Sequence, residues 1–304
     1  MESEYIRARE SQLNFYKDTA LYWHTSKGFV LYKPAGITLD EMRISEARHP
    51  DKLYLLQKDK LKGLQEAQKG FNQNLKKYIQ SGSQDQIKAT LVAIMEETLT
   101  EPRSGSLEGV SETIDILVSD YSKESNIIEN LLKVSSKDYT TVLHSINVMA
   151  FALTFAAHAG FDPYDMKILG LAALLHDVGK TKINPEILQA ARKLTAKEFE
   201  EMKKHSTIGF NILDKCQFSD KRVKFAALDH HEKLDGKGYP NGKSNLPEFA
   251  QILGLIDCYE ALTNDDRPYR SAMDPLKALK LIKEDVFTNK FSVKIFEKFA
   301  YCLL

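Results

Sequence analysis

Cysteine is scarce in this chain of 304 residues. Cys216, Cys258 and Cys302 stand far apart, make no CxxC pair and leave one unmatched. That excludes a disulfide framework and a thiolate zinc site, and makes the reducing cytoplasm the expected compartment. Net charge is lacking too: 42 Lys and Arg balance 42 Asp and Glu. A non-specific DNA or RNA binder, or a binder of anionic membrane, needs a basic excess that is absent here. The most apolar stretch, Val148 to Phe161, is shorter than a bilayer span and contains His158, so no membrane segment is expected. Met1 to Arg9 mixes charges of both signs where a signal peptide would carry an apolar core. What is present, 43% hydrophobic and 28% charged residues, suits a globular protein of one large domain or two ordinary ones.

Histidine is unevenly spread. Two of the eight lie before His144 and six between His144 and His231. The front of the chain reads as a small α/β unit, residues 1–82. Ala20–His24 and Gly28–Tyr32 form a hairpin across Thr25-Ser26-Lys27, and Leu53–Leu56 is a third strand. Thr38 to Ala47 reads as helix, as does Lys58 to Ile79, where Leu61, Leu64, Phe71, Leu75 and Ile79 recur at helical spacing. Trp23, Tyr32 and Tyr54 sit at strand positions where aromatics usually belong to a core. Connecting helices fill 83–132; that at Val110–Leu132 has enough apolar surface for a homodimer or for packing on its own chain. Residues 133–304 read as nearly all helix. Ser136, Asp162-Pro163, the capping box Thr195-Ala196-Lys197-Glu198, Lys221 and Pro247 mark successive helix starts.

Within this helical part five segments offer nitrogen or oxygen ligands: His144, His176-Asp177, His205, His230-His231 and Asp257. One such residue alone reads as a hydrogen-bonded core side chain. Five of them, each on the apolar side of its helix, need a shared partner, because an unpaired buried imidazole or carboxylate costs several kcal/mol. Metal ions meet that demand. Seven ligands exceed the usual protein complement of one ion, so two metals bridged by Asp177 fit better. Donors of this kind favour iron, manganese or zinc over copper or an iron–sulfur cluster. Two ions ~3.5–4 Å apart generate hydroxide at neutral pH and clamp a phosphoryl group. Lys180, three residues beyond Asp177, is placed to neutralise a phosphate oxygen.

His176-Asp177-Val178-Gly179-Lys180, Met202-Lys203-Lys204-His205, and His230-His231-Glu232 leading through Asp235-Gly236-Lys237-Gly238-Tyr239-Pro240 closely resemble the HD-GYP domain family. Tyr139-Thr140 with His144-Ser145, and Asp257 through Ala261-Leu262-Thr263 to Arg267-Pro268-Tyr269, extend the resemblance over about residues 133 to 275. It implies a helical HD-superfamily bundle that hydrolyses the bacterial messenger cyclic di-GMP to pGpG and onward to GMP by a metal-bridging hydroxide. It further implies metal ligation by His144, His176, Asp177, His205, His230, His231 and Asp257, with iron first and manganese next. Catalytic roles fall to Asp177 and Lys180, and substrate contact to Lys180, Gly236, Gly238, Tyr239, Pro240 and Arg267. Thr140 stands where three-metal members carry Glu, which implies two metals. Gln251 replaces the usual Arg, and Asn184 and Ser206 replace common prolines. Retention of every ligand favours an enzyme. The rival reading is a signalling module of weak or no turnover that binds cyclic di-GMP or a diguanylate-cyclase (GGDEF) partner.

Overall fold

A computed structural model describes residues 4–42, 49–100, 102, 107, 109–121, 141–216, 218, 220–264 and 272–303. The chain divides into two compact units, Met1–Lys77 and Tyr78–Leu304. In the first, strands β1 (Tyr5–Arg7), β2 (Leu21–Thr25), β3 (Gly28–Lys33) and β4 (Leu53–Leu56) form an antiparallel sheet in the order β1-β4-β2-β3. The expected hairpin is present. Gly28 takes the left-handed φ of 110° that ends its tight turn, and Thr25 Oγ1 donates to Gly28 O. Strand β1 escaped notice because three residues carry no readable alternation. Residues 39–42 form a turn instead of opening a helix, and 43–48 of that expected helix lie outside the described residues.

Helix α1 (Lys60–Gln80) lays its apolar stripe over one side of this sheet, with Leu64, Ala67, Phe71 and Leu75 buried. Gly63 brings it against Tyr16 and Leu55. The other side carries aromatics that are not core. Tyr5 stacks on Phe29 at 4.1 Å, and Tyr22 and Tyr54 meet them edge-on. Trp23, paired with Leu53 and so on the helix side of the sheet, is 45% exposed.

The second unit is helical: α2 (Gln84–Thr100), α3 (Val110–Tyr121), α4 (Thr141–Ala159), α5 (Pro163–Leu175), α6 (Pro185–Leu188), α7 (Ala196–Asp214), α8 (Arg222–Asp229), α9 (Glu248–Thr263), α10 (Pro275–Phe287) and α11 (Val293–Cys302). Its centre is α4, apolar all round and packed on α2, α5, α9 and α11. By length and composition α4 is a candidate membrane span; 72% of its apolar window is buried in the fold. The caps behave as expected: Asp162 accepts from Asp165 N, and Thr195 and Glu198 close a capping box. Helix α8 stops at Asp229, three residues short of expectation, because His230 is its C-cap. Ser136, Thr140 and residues 122–132 lie outside the described set.

Two glycines let backbones touch where the histidines gather. A short 3₁₀ turn, Val178–Lys182, runs against α7, and a Cβ on Gly179 would lie 1.9 Å from His205 O and 2.6 Å from Gly209 N. On α9, a Cβ on Gly254 would lie 2.4 Å from His230 O. A methyl group at either place forces backbone apart. Gly179→Ala is therefore expected to destabilise by about 1–3 kcal/mol, the usual cost of overpacking. Gly209→Ala, whose added Cβ would come no nearer than 3.4 Å to any neighbour, should be neutral or stabilising in a helix interior. Thermal unfolding of the two variants checks the contrast; equal melting temperatures would break the argument.

Candidate metal centre

Helices α5 and α8 each end in a histidine, and that ending shapes the site. The last carbonyls of a helix lack intrahelical donors. His176 Nδ1 donates to Ala173 O (2.6 Å) and His230 Nδ1 to Ala227 O (2.9 Å), each reaching back three residues. On α7, His205 Nδ1 donates to Met202 O at 2.6 Å. On α4, His144 Nδ1 meets the Glu260 carboxylate at 2.6 Å. A carbonyl only accepts, so Nδ1 carries the hydrogen in His176, His205 and His230, and Nε2, which carries the lone pair whenever the ring is neutral, is left facing the other way.

Those lone pairs converge. His205 Nε2 and His230 Nε2 face each other at 3.5 Å. Asp177 lies between two groups of nitrogens: its Oδ2 is 3.3 Å from His176 Nε2 and 3.5 Å from His144 Nε2, and its Oδ1 is 3.4 Å from His205 Nε2 and 3.9 Å from His230 Nε2. Asp257 Oδ1 approaches His144 Nε2 at 3.0 Å and its Oδ2 approaches His231 Nδ1 at 3.8 Å. Asp177 Oδ1 and His176 Nε2 are buried without a hydrogen-bond donor or acceptor. Acceptors aimed at one another repel, and an orphaned buried carboxylate oxygen is costly. A cation resolves both. The ligand atoms of His144, His176 and Asp177, and separately those of His205, His230 and His231, lie within 4.8 Å of one another, so each trio could hold a metal ion.

All seven residues singled out from the sequence as ligands thus come together. Lys180 is beside them, its ammonium bonded to the Asp177 carboxylate. In the Gly236–Pro240 loop, Tyr239 lays its ring over His231 at 4.6 Å. Gly238 passes so close to Glu232 that a Cβ would lie 2.4 Å from its Cα. Arg267 falls outside the described residues.

Three buried acids escaped the sequence reading. Glu260 accepts from His144, Asn147 and Asn264, and so fixes the His144 imidazole through its Nδ1. Its place three residues after Asp257 on α9 was the available signal. Glu232 accepts from the backbone N–H of Asn241 (2.6 Å) and Lys243 (3.0 Å), and Asp229 accepts from Lys243 Nζ (2.8 Å). Together these acids tie the loop after Tyr239 to the segment that bears His230 and His231.

Burial and neighbours set the protonation states. Burial pushes His230 down to about 3, with His176 and His205 adding to the effect. Burial also lowers His205 and, further, His231, against the pull of Asp177 and Asp257. Burial alone would lower His144 as well, but Glu260 and Asp257 outweigh it and raise it to about 9. Asp177 stays well below the usual carboxylate range: burial opposes ionisation, and Lys180 and His176 overcome it.

With this geometry in hand, the family comparison is decisive: an HD domain match covers residues 123–292, more than half of the chain. The chain belongs to the HD domain family. The HD domain here is similar to the cyclic di-GMP phosphodiesterase PA4108 of Pseudomonas aeruginosa, 29% identical over 192 residues, which is 62% of this chain and 46% of that protein. It is also similar to the 3'3'-cGAMP-specific phosphodiesterase 1 of Vibrio cholerae, 32% identical over 168 residues, 54% of this chain and 38% of that one. The chain therefore spans about half or less of the length of these curated relatives. Among solved structures, Bd1817, an HDG"Y"P protein from Bdellovibrio bacteriovorus, shares the fold over 99% of both chains, with a TM-score of 0.65 and 19% identity.

Two outcomes follow from the buried groups. Glu260→Ala should weaken metal binding about 10–100-fold, as loss of a carboxylate behind a ligating histidine does, in a competitive chelator titration. The metal-free protein should lose stability on both sides of neutrality. A depressed imidazole (His230, His205, His231) contributes above its ordinary 6.5, and that contribution is lost as pH falls below it, for His230 through about 3. A raised one contributes below 6.5, and that contribution fades as pH rises through about 9 (His144). Melting temperatures of chelator-treated protein should peak between these windows; a monotonic rise into alkali would contradict the assignment of His144.

Proposed function

We propose that this HD domain hydrolyses a cyclic dinucleotide, cyclic di-GMP first, at a centre of two divalent cations. One observation carries the reading: Asp177 turns one oxygen to His144 and His176 and the other to His205 and His230. A carboxylate so divided fits a bridge. His144, His176, Asp177 and Asp257 would hold one cation, and His205, His230, His231 and Asp177 the other. Imidazole and carboxylate donors without thiolate suit iron, then manganese. When bound, two such ions acidify water at neutral pH and offset the charge that develops on a phosphoryl group.

The chain's own side chains supply the rest. Lys180 has three donors, uses one on Asp177 and is partly exposed, so it offers the others to a phosphate oxygen. Glu260 holds His144 in place. Glu232 and Asp229 hold the loop that presents Tyr239. Water added across one phosphodiester bond opens the ring to pGpG, and a second addition releases GMP. The relatives named for cyclic di-GMP and for 3'3'-cGAMP support the substrate class. Residues 1–82 we take as a regulatory unit preceding connecting helices and the hydrolase.

Protein purified without oxygen should contain two equivalents of metal and turn over cyclic di-GMP, with 3'3'-cGAMP as the comparison substrate. Asp177→Ala should lose the metal and the turnover together, while circular dichroism stays that of the parent. Parental turnover in that variant would refute the bridge. Metal-loaded protein that binds cyclic di-GMP and leaves it intact would overturn the hydrolase reading in favour of a signalling module.

A further inference from the structure

Beside the histidines, α7 exposes a large aromatic ring for which the metal centre has no use. Phe199 is 45% exposed. Its ring meets Tyr239 edge-on, 6.2 Å between centroids and 80° between planes. Tyr239 in turn lies over His231 at 4.6 Å and approaches His205 at 6.4 Å. One helical turn on from Phe199, Lys203 brings its ammonium within 5.0 Å of the Phe199 centroid and 5.7 Å of the Tyr239 centroid. The partner of that ammonium is Glu200, 2.7 Å away and largely exposed, and exposed ion pairs of this kind are worth little and are easily exchanged.

A strip therefore runs outward from the metal-facing imidazoles through a phenol to an open phenyl corner topped by a positive charge. A flat, apolar face next to an ammonium, within one nucleotide's length of a phosphodiester site, matches the chemistry of a nucleobase joined to a phosphate. We propose that Phe199 is the stacking platform for one purine of the substrate and that Lys203 takes a phosphate oxygen of the same nucleotide. This deepens the cyclic-dinucleotide reading and rests on it. Stacking uses the π-face that every base has, so the subsite accepts guanine and adenine alike. It contributes to binding in the ground state and the transition state equally, and so appears in KM and not in kcat.

The test uses metal-loaded protein with Phe199→Ala, Phe199→Trp and Lys203→Met. Phe199→Ala should raise KM for cyclic di-GMP and for 3'3'-cGAMP about tenfold, with kcat and metal content unchanged, a loss of the size that removing one base–aromatic stack produces. Phe199→Trp should restore parental KM. In titrations with GMP and with ribose 5-phosphate, Phe199→Ala should weaken GMP alone, and Lys203→Met should weaken both. If Phe199→Ala binds GMP and cyclic di-GMP like the parent, or loses GMP and ribose 5-phosphate equally, the subsite is refuted while parental turnover leaves the hydrolase reading intact. A parent that hydrolyses no cyclic dinucleotide refutes that reading instead, and the GMP titration still decides the subsite.

Discussion

Everything in the helical unit serves one electrostatic conflict: imidazole lone pairs and a carboxylate aimed into the same buried space. Three of the rings have no freedom to relieve it. Their Nδ1–H groups are committed to the carbonyls of Ala173, Met202 and Ala227, which leaves acceptors facing Asp177 and one another. Protonating Nε2 would help only if burial did not hold His205 and His230 neutral. The fold thus stores an unsatisfied demand for positive charge, answered in part by Lys180; a divalent cation would answer the rest.

Helix ends and close backbone contacts produce that arrangement. Because α5 and α8 stop at His176 and His230, the free carbonyls of their last turns orient the rings that follow. Gly179 and Gly254 then remove the side chains that would separate the 3₁₀ turn from α7 and α9 from His230. The site depends as much on these absent methyl groups as on its histidines.

The clustering of these side chains was legible in the sequence for a physical reason. A buried imidazole or carboxylate on an apolar helix face violates the ordinary pattern, and His144, His205 and Asp257 each do so. What stayed hidden were acids whose partners lie far along the chain or in backbone. Glu260 reads as an unremarkable residue of α9 until His144, 116 positions earlier, is placed against it. Glu232 grips two backbone N–H groups, and backbone leaves no trace in composition. The early end of α8 was hidden as well, since a histidine signals a helix stop only weakly. In the first unit, aromatic residues on strands were expected to be core; with α1 on one side of the sheet, the other side keeps Tyr5, Phe29 and Tyr54 in a cluster of their own.

The same short stretch, Asp229 to Glu232, joins the metal side of the site to its substrate side. Its two middle residues face the centre, and its two outer ones hold Lys243 and the backbone of Asn241 and Lys243, which closes the loop carrying Tyr239. A displacement of His230 and His231 therefore moves the anchors of that loop as well. Tyr239 adds a second connection through its ring contact with His231. The proposed metal ligation and the loop position are in this way one mechanical unit: the residues that would hold cations and those that would face substrate share a few consecutive backbone atoms, so neither can be rearranged alone.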